Sequence, residues 1–301
     1  MSTPTLTHGY PQALKPARVV VLGGSGFIAG AIRRRLDADG IATLAIGRQA
    51  LDLLSPDAAA RLADELRPDD VLIVAAAIAP CKDLAMMLDN LRIVEAVCTA
   101  LQARSVAHVV YLSSDAVYKD SVRPLTEASC AEPGGLHGVM HLSRELALRH
   151  AYAGPLAILR PTLVYGFDDP HNGYGPNRFR RLAVTEQEIE LFGEGEERRD
   201  HVDVEDVAEL ARLIVVHRSA GIANAVTGQV ASFREIAEFV SASFSPRVVV
   251  RGTSRTGAMP HDGYRAFDNS AVLAAFPSLR FKPWREGLAG LHKREAAEGK
   301  P

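Results

Sequence analysis

VVVLGGSGFIAGAIRRRL, residues 19–36, passes from four consecutive apolar residues into a glycine cluster and then into a stretch with helical spacing. Gly23, Gly26 and Ala29 recur every three residues across that junction. One glycine makes a tight turn, the next lets a backbone come close to a pyrophosphate, and the small third residue lets helix and strand pack closely. The helix start at Phe27 and Ile28 adds unpaired amides and the positive end of the helix dipole. A strand directly followed by such a turn and a helix therefore predicts a phosphate-binding βα unit.

The same rhythm continues outward. FIAGAIRRRLDADG is closed as a helix by Gly40, IATLAIG (41–47) is a second strand, and SPDAAARLADELRPDD (55–70) opens another helix with Ser55 as its expected N-cap. DVLIVAAA (70–77) does not alternate and is expected to be buried on both faces. A helix over about 84–104 leads to the strands AHVVYLSS and LAILRPTLVYG, the latter read as one piece. Five strands with helical crossovers predict an α/β fold, a Rossmann-type doubly wound parallel sheet. Beyond Gly166 the pattern loosens into a Gly/Pro/Asn-rich loop, IELFG, RRDHV and the helical VEDVAELARLIVVH (204–217). The expected organisation is a flexible polar extension over 1–17, a Rossmann domain over 18–166 to which 200–230 returns, and a smaller C-terminal α/β substrate lobe from 167–199 and 231–301.

Composition excludes several classes. With 34 Lys+Arg against 36 Asp+Glu, a net charge of -2 and 47% hydrophobic residues, the 301-residue chain lacks the basic footprint of a nucleic-acid binder. Its longest apolar run, VLIVAAAIA, is about half what a bilayer span needs. Cys81, Cys98 and Cys130 are an odd number at unrelated spacings, which suits a reducing compartment. With no apolar core near the N-terminus to act as a signal, the expectation is a cytoplasmic protein with no membrane or nucleic-acid partner.

At the end of the second strand an acidic residue would bind the ribose hydroxyls of NAD. This chain has Gly47-Arg48, and an arginine suits a 2′-phosphate, so the expected cofactor is NADP or NAD with NADP favoured. Asp52 and Leu53 are candidates for the adenine side.

Several segments in order carry a family resemblance: GGSGFIAG, Ala75-Ala76-Ala77, YLSSDAVYKD followed by PLTEAS, LRPTLVYG, LFGEGEERRDHVDVEDVA and FDNSAV. The chain resembles an extended short-chain dehydrogenase/reductase of the NAD-dependent epimerase/dehydratase family, which modifies nucleotide-activated sugars. The stretch 47–77 is also similar to dTDP-4-dehydrorhamnose reductases. The resemblance implies Ser114 as the catalytic hydroxyl, Pro161 and Leu163 beside the nicotinamide, and Asp115, Asn177, Arg199 and Arg265 as sugar-nucleotide contacts. It also implies a homodimer.

One departure matters. Where the family has YxxxK, this chain has His137 and His141, within a frame that keeps Gly138, Leu142 and Glu145. A spacing of four keeps both imidazoles on one helix face, and imidazole titrates near neutrality. His137 can then serve as acid/base and His141 as the ribose contact. Two alternatives stand beside a redox enzyme with rewired acid/base groups: a protein that binds cofactor or nucleotide sugar without turnover, and a zinc pair. The last has no HExxH and no third ligand to support it. Ser114-Asp115-Ala116 lacks the glutamate of the dehydratases, leaving a C4 epimerase or a 4-keto reductase. Lys82 and Lys119 are candidates to restore the missing charge.

Overall fold

A computed structural model describes residues 6–298. Its strands are β1 (Thr7–His8), β2 (Val19–Leu22), β3 (Thr43–Ile46), β4 (Val71–Val74), β5 (His108–Leu112), β6 (Leu156–Pro161), β7 (Leu163–Tyr165), β8 (Ile189–Phe192), β9 (Arg198–Asp203), β10 (Ser219–Ala225), β11 (Val230–Ser232), β12 (Val250–Thr253) and β13 (Tyr264–Arg265). The helices are α1 (Phe27–Ala38), α2 (Ala58–Glu65), α3 (Leu84–Ala103), α4 (Leu136–Ala151), α5 (Pro176–Val184), α6 (Val204–Val216), α7 (Phe233–Ala242), α8 (Ser270–Ala275) and α9 (Trp284–Glu298).

The large sheet has seven strands in the order β1-β10-β6-β5-β4-β2-β3, parallel throughout except for β1. The fold is the expected α/β Rossmann type. VVVL and VLIV are buried at every position because helices cover both faces. One face packs under α1 and α6 through Val21, Ile32, Leu36, Val207 and Ala211, and the other under α2, α3 and α4 through Leu22, Leu62, Val97 and Leu148. The chain leaves β2 towards β3 on one side and returns to β4 on the other. The carboxyl ends of β2 and β4 are thus the place where strand order reverses and where such sheets leave a crevice.

A smaller set of strands gathers around β9, which pairs with β7, β11 and β13, while β8 pairs with β12. Phe179, Ile189, Leu191, Phe233, Ile236 and Trp284 form its own core. The return to the large sheet starts with α6 at Val204, since residues 198–203 belong to the smaller sheet.

Four local expectations are corrected. LAILRPTLVYG is two strands: Pro161 is the last residue of β6 paired with β10, and after Thr162 the chain joins β9 of the smaller sheet. Ser55 does not cap α2; its hydroxyl donates to the Asp52 carbonyl in the preceding turn, and α2 begins at Ala58. The polar N-terminal segment, read as loose, is docked from residue 6 onwards. Thr7 and His8 pair with Ala220 and Ser219, the Leu14 amide donates to the Val216 carbonyl, and the His8 ring bonds Ser219 Oγ and the Ala275 carbonyl. Residues 1–5 lie outside the described residues. The sheet has two more strands than the five read from apolar runs, because β1 is only two polar residues and β10 is SAGIANA, with few large apolar side chains. No helix among the described residues is long and apolar enough to cross a membrane.

Candidate active site

Gly23 follows β2 with φ +75°, a conformation that costs glycine little. A Cβ there would lie 2.8 Å from the Ala76 backbone, so the turn abuts the segment after β4. Gly26 precedes α1 in extended conformation, with no side-chain cap and no acidic residue in the first helical turn. The α1 amides therefore stay available to an anion.

A cleft of about 480 Å³ opens from this turn. Gly23, Gly26, Phe27, Ile28, Ala75, Ala77, Ser114, His137, His141, Pro161, Leu163 and Asn177 all line it, so most of the residues singled out by sequence meet in one place. A second hollow of about 270 Å³ shares Gly23, Gly26, Ala75 and Ala77 and adds Arg48, Asp52, Leu53 and Ala76. Arg48 is three-quarters exposed and bonds Asp52 at 3.3 Å. The glycine turn, the uncapped helix and two hollows meeting at that turn fit an extended dinucleotide, with its diphosphate at the turn.

Both histidines stand on α4, held against the cleft by Gly138, which packs on the 3-10 turn Asp115–Val117. Their ring centroids are 4.7 Å apart. The Cys81 amide donates to His137 Nδ1 at 3.4 Å, which leaves the neutral ring's proton on Nε2. Burial pushes the His137 imidazole below its ordinary value, opposed by the Asp115 carboxylate. His141 is more deeply buried and bonds the Tyr111 hydroxyl through Nδ1 at 2.8 Å. Burial first, then His137 and the Arg144 guanidinium, push it well below the usual range, so it is neutral at pH 7. Among the described residues no cluster of three metal-ligating side chains joins the pair.

Ser114 lines the cleft and also caps the 3-10 turn, accepting from the Ala116 amide at 3.1 Å. Asn177 is tied by Gly166 and Asp169, which fixes the loop over the cleft. Asp115, Arg199 and Arg265 do not line the cleft. They are bound to one another: Arg265 donates from Nε to the Asp115 carboxylate at 2.9 Å, Arg199 reaches the same carboxylate at 3.9 Å, and Arg265 also pairs with Asp120. Lys82 does not line it either, and Lys119 pairs with Glu132 on the surface.

Sequence reasoning missed Ser113, Thr162, Asp169, Tyr174 and His201 on the cleft wall. Thr162 sits between two residues already singled out, and His201 lies within RRDHV, where strand alternation was the available signal. Arg144 was also missed. Fully buried, it donates to the Ala76 carbonyl at 2.6 Å and stands over the Tyr111 ring.

Residues 19–227 match the NAD dependent epimerase/dehydratase family. The chain belongs to that family. It is 28% identical over 301 residues to the dTDP-6-deoxy-L-talose 4-dehydrogenase (NAD(P)(+)) of Kitasatospora kifunensis, covering 90% of this chain and 92% of that one. Its fold matches a GDP-L-fucose synthetase from Naegleria fowleri bound to NADP, with TM-score 0.81 and 16% identity over 100% of this chain and 98% of that one. It also matches a UDP-glucose 4-epimerase from Thermus thermophilus in complex with NAD, with TM-score 0.77 and 22% identity over 92% and 98%. In this family member the HxxxH pair occupies the cleft beside the glycine turn.

Proposed function

We propose that the protein is an NAD(P)-dependent nucleotide-sugar epimerase or 4-keto reductase in which His137 is the acid/base group. The observation that carries this reading is that His137, Ser114 and the Gly23–Gly26 turn line one cleft. The large sheet and its helices hold the cofactor, and the smaller set of strands around β9 covers the sugar. When bound, NAD(P) supplies hydride exchange at a sugar carbon. The Gly23 and Gly26 backbone and the α1 amides hold its diphosphate, Leu53 and Ala75–Ala77 flank the adenosine, and Pro161 and Leu163 flank the nicotinamide. Arg48, exposed and paired to the exposed Asp52 carboxylate, suits the 2′-phosphate of NADP.

Ser114 donates to the reacting sugar oxygen. His137, with Nε2–H as its donor, polarises a sugar carbonyl when neutral and delivers a proton when charged, as reduction of a ketone requires. A neutral His141 holds the ribose through its free nitrogen. Asp115, Arg199 and Arg265 frame the sugar-nucleotide side from behind, and Asn177 shapes its loop.

A second reading is a binding or regulatory protein without turnover. The neutral, buried His141 favours it, because no cation stands at the position where the family's lysine would be. One experiment separates the two. The purified protein is assayed with NADPH or NADH and a set of nucleotide 4-keto-sugars, and its melting is followed with the same compounds. Turnover that disappears in His137→Ala supports the enzyme, nucleotide-dependent stabilisation without turnover supports the binder, and neither effect sinks both.

The homodimer forms through α3 and α4, which pack together and expose Leu84, Leu88 and Leu146. Leu88→Glu with Leu146→Glu then halves the mass measured by light scattering. The three free cysteines suit the cytoplasm, which cell fractionation checks.

A further inference from the structure

His201 stands in the middle of β9, opposite Leu163 of β7, with its ring edge-on to Phe233 at 5.5 Å. Its Nδ1 lies 3.1 Å from the carbonyl of Arg199. A carbonyl oxygen can only accept, so Nδ1 carries the ring proton. Burial pushes the imidazole down to about 3, with the Arg199 guanidinium adding to the shift, and the ring is neutral at pH 7.

The other nitrogen, Nε2, is then a bare lone pair. It is buried and has no hydrogen-bond partner among the described residues. A buried acceptor left without a donor costs about 1–3 kcal/mol, so its retention calls for a group that satisfies it. His201 lines the same cleft as Thr162, Tyr174, Asn177, His137 and Ser114. Gly175 lies beside Nε2: a Cβ there would stand 3.9 Å from Nε2, an ordinary contact, and 3.2 Å from Phe233 Cε1. Gly175 has φ +126°, which disfavours any side chain there.

We propose that His201 Nε2 accepts a hydrogen bond from a hydroxyl or amide N–H of the sugar held in the cleft. This assignment rests on the nucleotide-sugar reading above and deepens it. A wall built to accept from a sugar donor rejects a sugar lacking that donor, because the lone pair is then buried unpaired. His201 therefore selects for a hydroxyl- or amide-bearing sugar against the corresponding deoxy sugar, while the nucleotide half is read elsewhere.

Two variants remove the acceptor in different ways. His201→Phe keeps the ring packed on Phe233. His201→Asn keeps a donor for the Arg199 carbonyl and is the second route should the phenylalanine variant not fold, which a melting curve shows. Calorimetry with UDP-glucose, dTDP-glucose and GDP-mannose, beside UDP, dTDP, GDP and NADPH alone, reads the effect. The expected result is that the sugar nucleotide bound by the wild type weakens by about 5- to 100-fold in the folded variants, with NADPH and the matching free diphosphate unchanged. Equal affinity of that sugar nucleotide for wild type and variant overturns the assignment alone. A wild type that binds NADPH but none of the sugar nucleotides overturns the nucleotide-sugar reading and the assignment together.

Discussion

His137 and His141 meet edge to face one helical turn apart, with ring planes at 85°, and the inner of the two is bonded to Tyr111 rather than to a carboxylate. Among the described residues no anion pairs with His141, and the Arg144 guanidinium lies close enough to disfavour its protonation. A lysine placed here would have to bury an ammonium against a like charge. His141→Lys is therefore expected to destabilise the fold by several kcal/mol, whereas His141→Gln, which can still meet the Tyr111 hydroxyl, costs less. Thermal melting of the two variants decides it, and a His141→Lys protein as stable as the wild type defeats the prediction.

Gly138 tests the packing that places both rings. Within a helix a glycine-to-alanine change ordinarily gains about 1 kcal/mol. Here the new Cβ would lie 2.0 Å from the Ala116 carbonyl oxygen and 2.6 Å from Pro133 Cβ. Backbone cannot retreat as a flexible side chain can, so α4 must tilt away from the 3-10 turn that Ser114 caps. Gly138→Ala is expected to lose about 1–3 kcal/mol and to weaken turnover more than NADPH binding. A melting temperature above that of the wild type contradicts this.

Local sequence carried what short-range physics dictates. VVVLGGSG reads as strand and turn because four buried valine and leucine positions precede a glycine that must adopt positive φ, and the two histidines share a face because helix geometry leaves no other arrangement. The rest depends on distant pairings. Nothing in THGYPQ indicates that Thr7 will pair with Ala220, and LRPTLVYG gives no sign that Thr162 steps between sheets until Leu163 finds His201. Asp115, Arg199 and Arg265 were legible as charged residues near a site, but their pairing with one another spans 150 residues of chain. His201 looked like one more polar residue in a short strand, and only its buried lone pair sets it apart.

Glu145 and Arg160 offer a cleaner energetic test. The carboxylate accepts from Arg160 Nε at 2.9 Å and Nη2 at 2.5 Å and from Ser113 Oγ at 2.5 Å, with both ions almost fully buried. Removing one partner leaves the other charged and unpaired inside the protein. Glu145→Gln is expected to cost about 3–5 kcal/mol, and Glu145→Gln combined with Arg160→Met less than the sum of the single changes. Urea unfolding of the three variants measures the coupling, and strict additivity counts against it.

The buried histidines fix the response to acid. His108, whose Nε2 bonds the Ser219 carbonyl at 2.7 Å, is pushed by burial down to about 4, His201 to about 3, and His141 well below its ordinary value. Each stays neutral in the folded chain while the unfolded chain takes up a proton near 6.5, so the unfolded state binds more protons and stability falls as pH drops. For His108 the loss begins near 6.5 and is complete near 4, which is roughly 3 kcal/mol at 1.36 kcal/mol per unit. Asp200 acts in the other direction. Burial raises its carboxyl to about 6, so the folded chain binds the extra proton and gains stability as pH falls from 6 towards 3.8. Five histidines are held down by burial, these three with His137 and His261, against three carboxyls that burial raises, Asp200, Glu127 and Asp206. The balance is a loss, and the melting temperature is expected to drop between pH 7.5 and pH 5, less steeply in His108→Gln; a melting temperature that rises over that interval shows that the raised carboxyls outweigh the histidines.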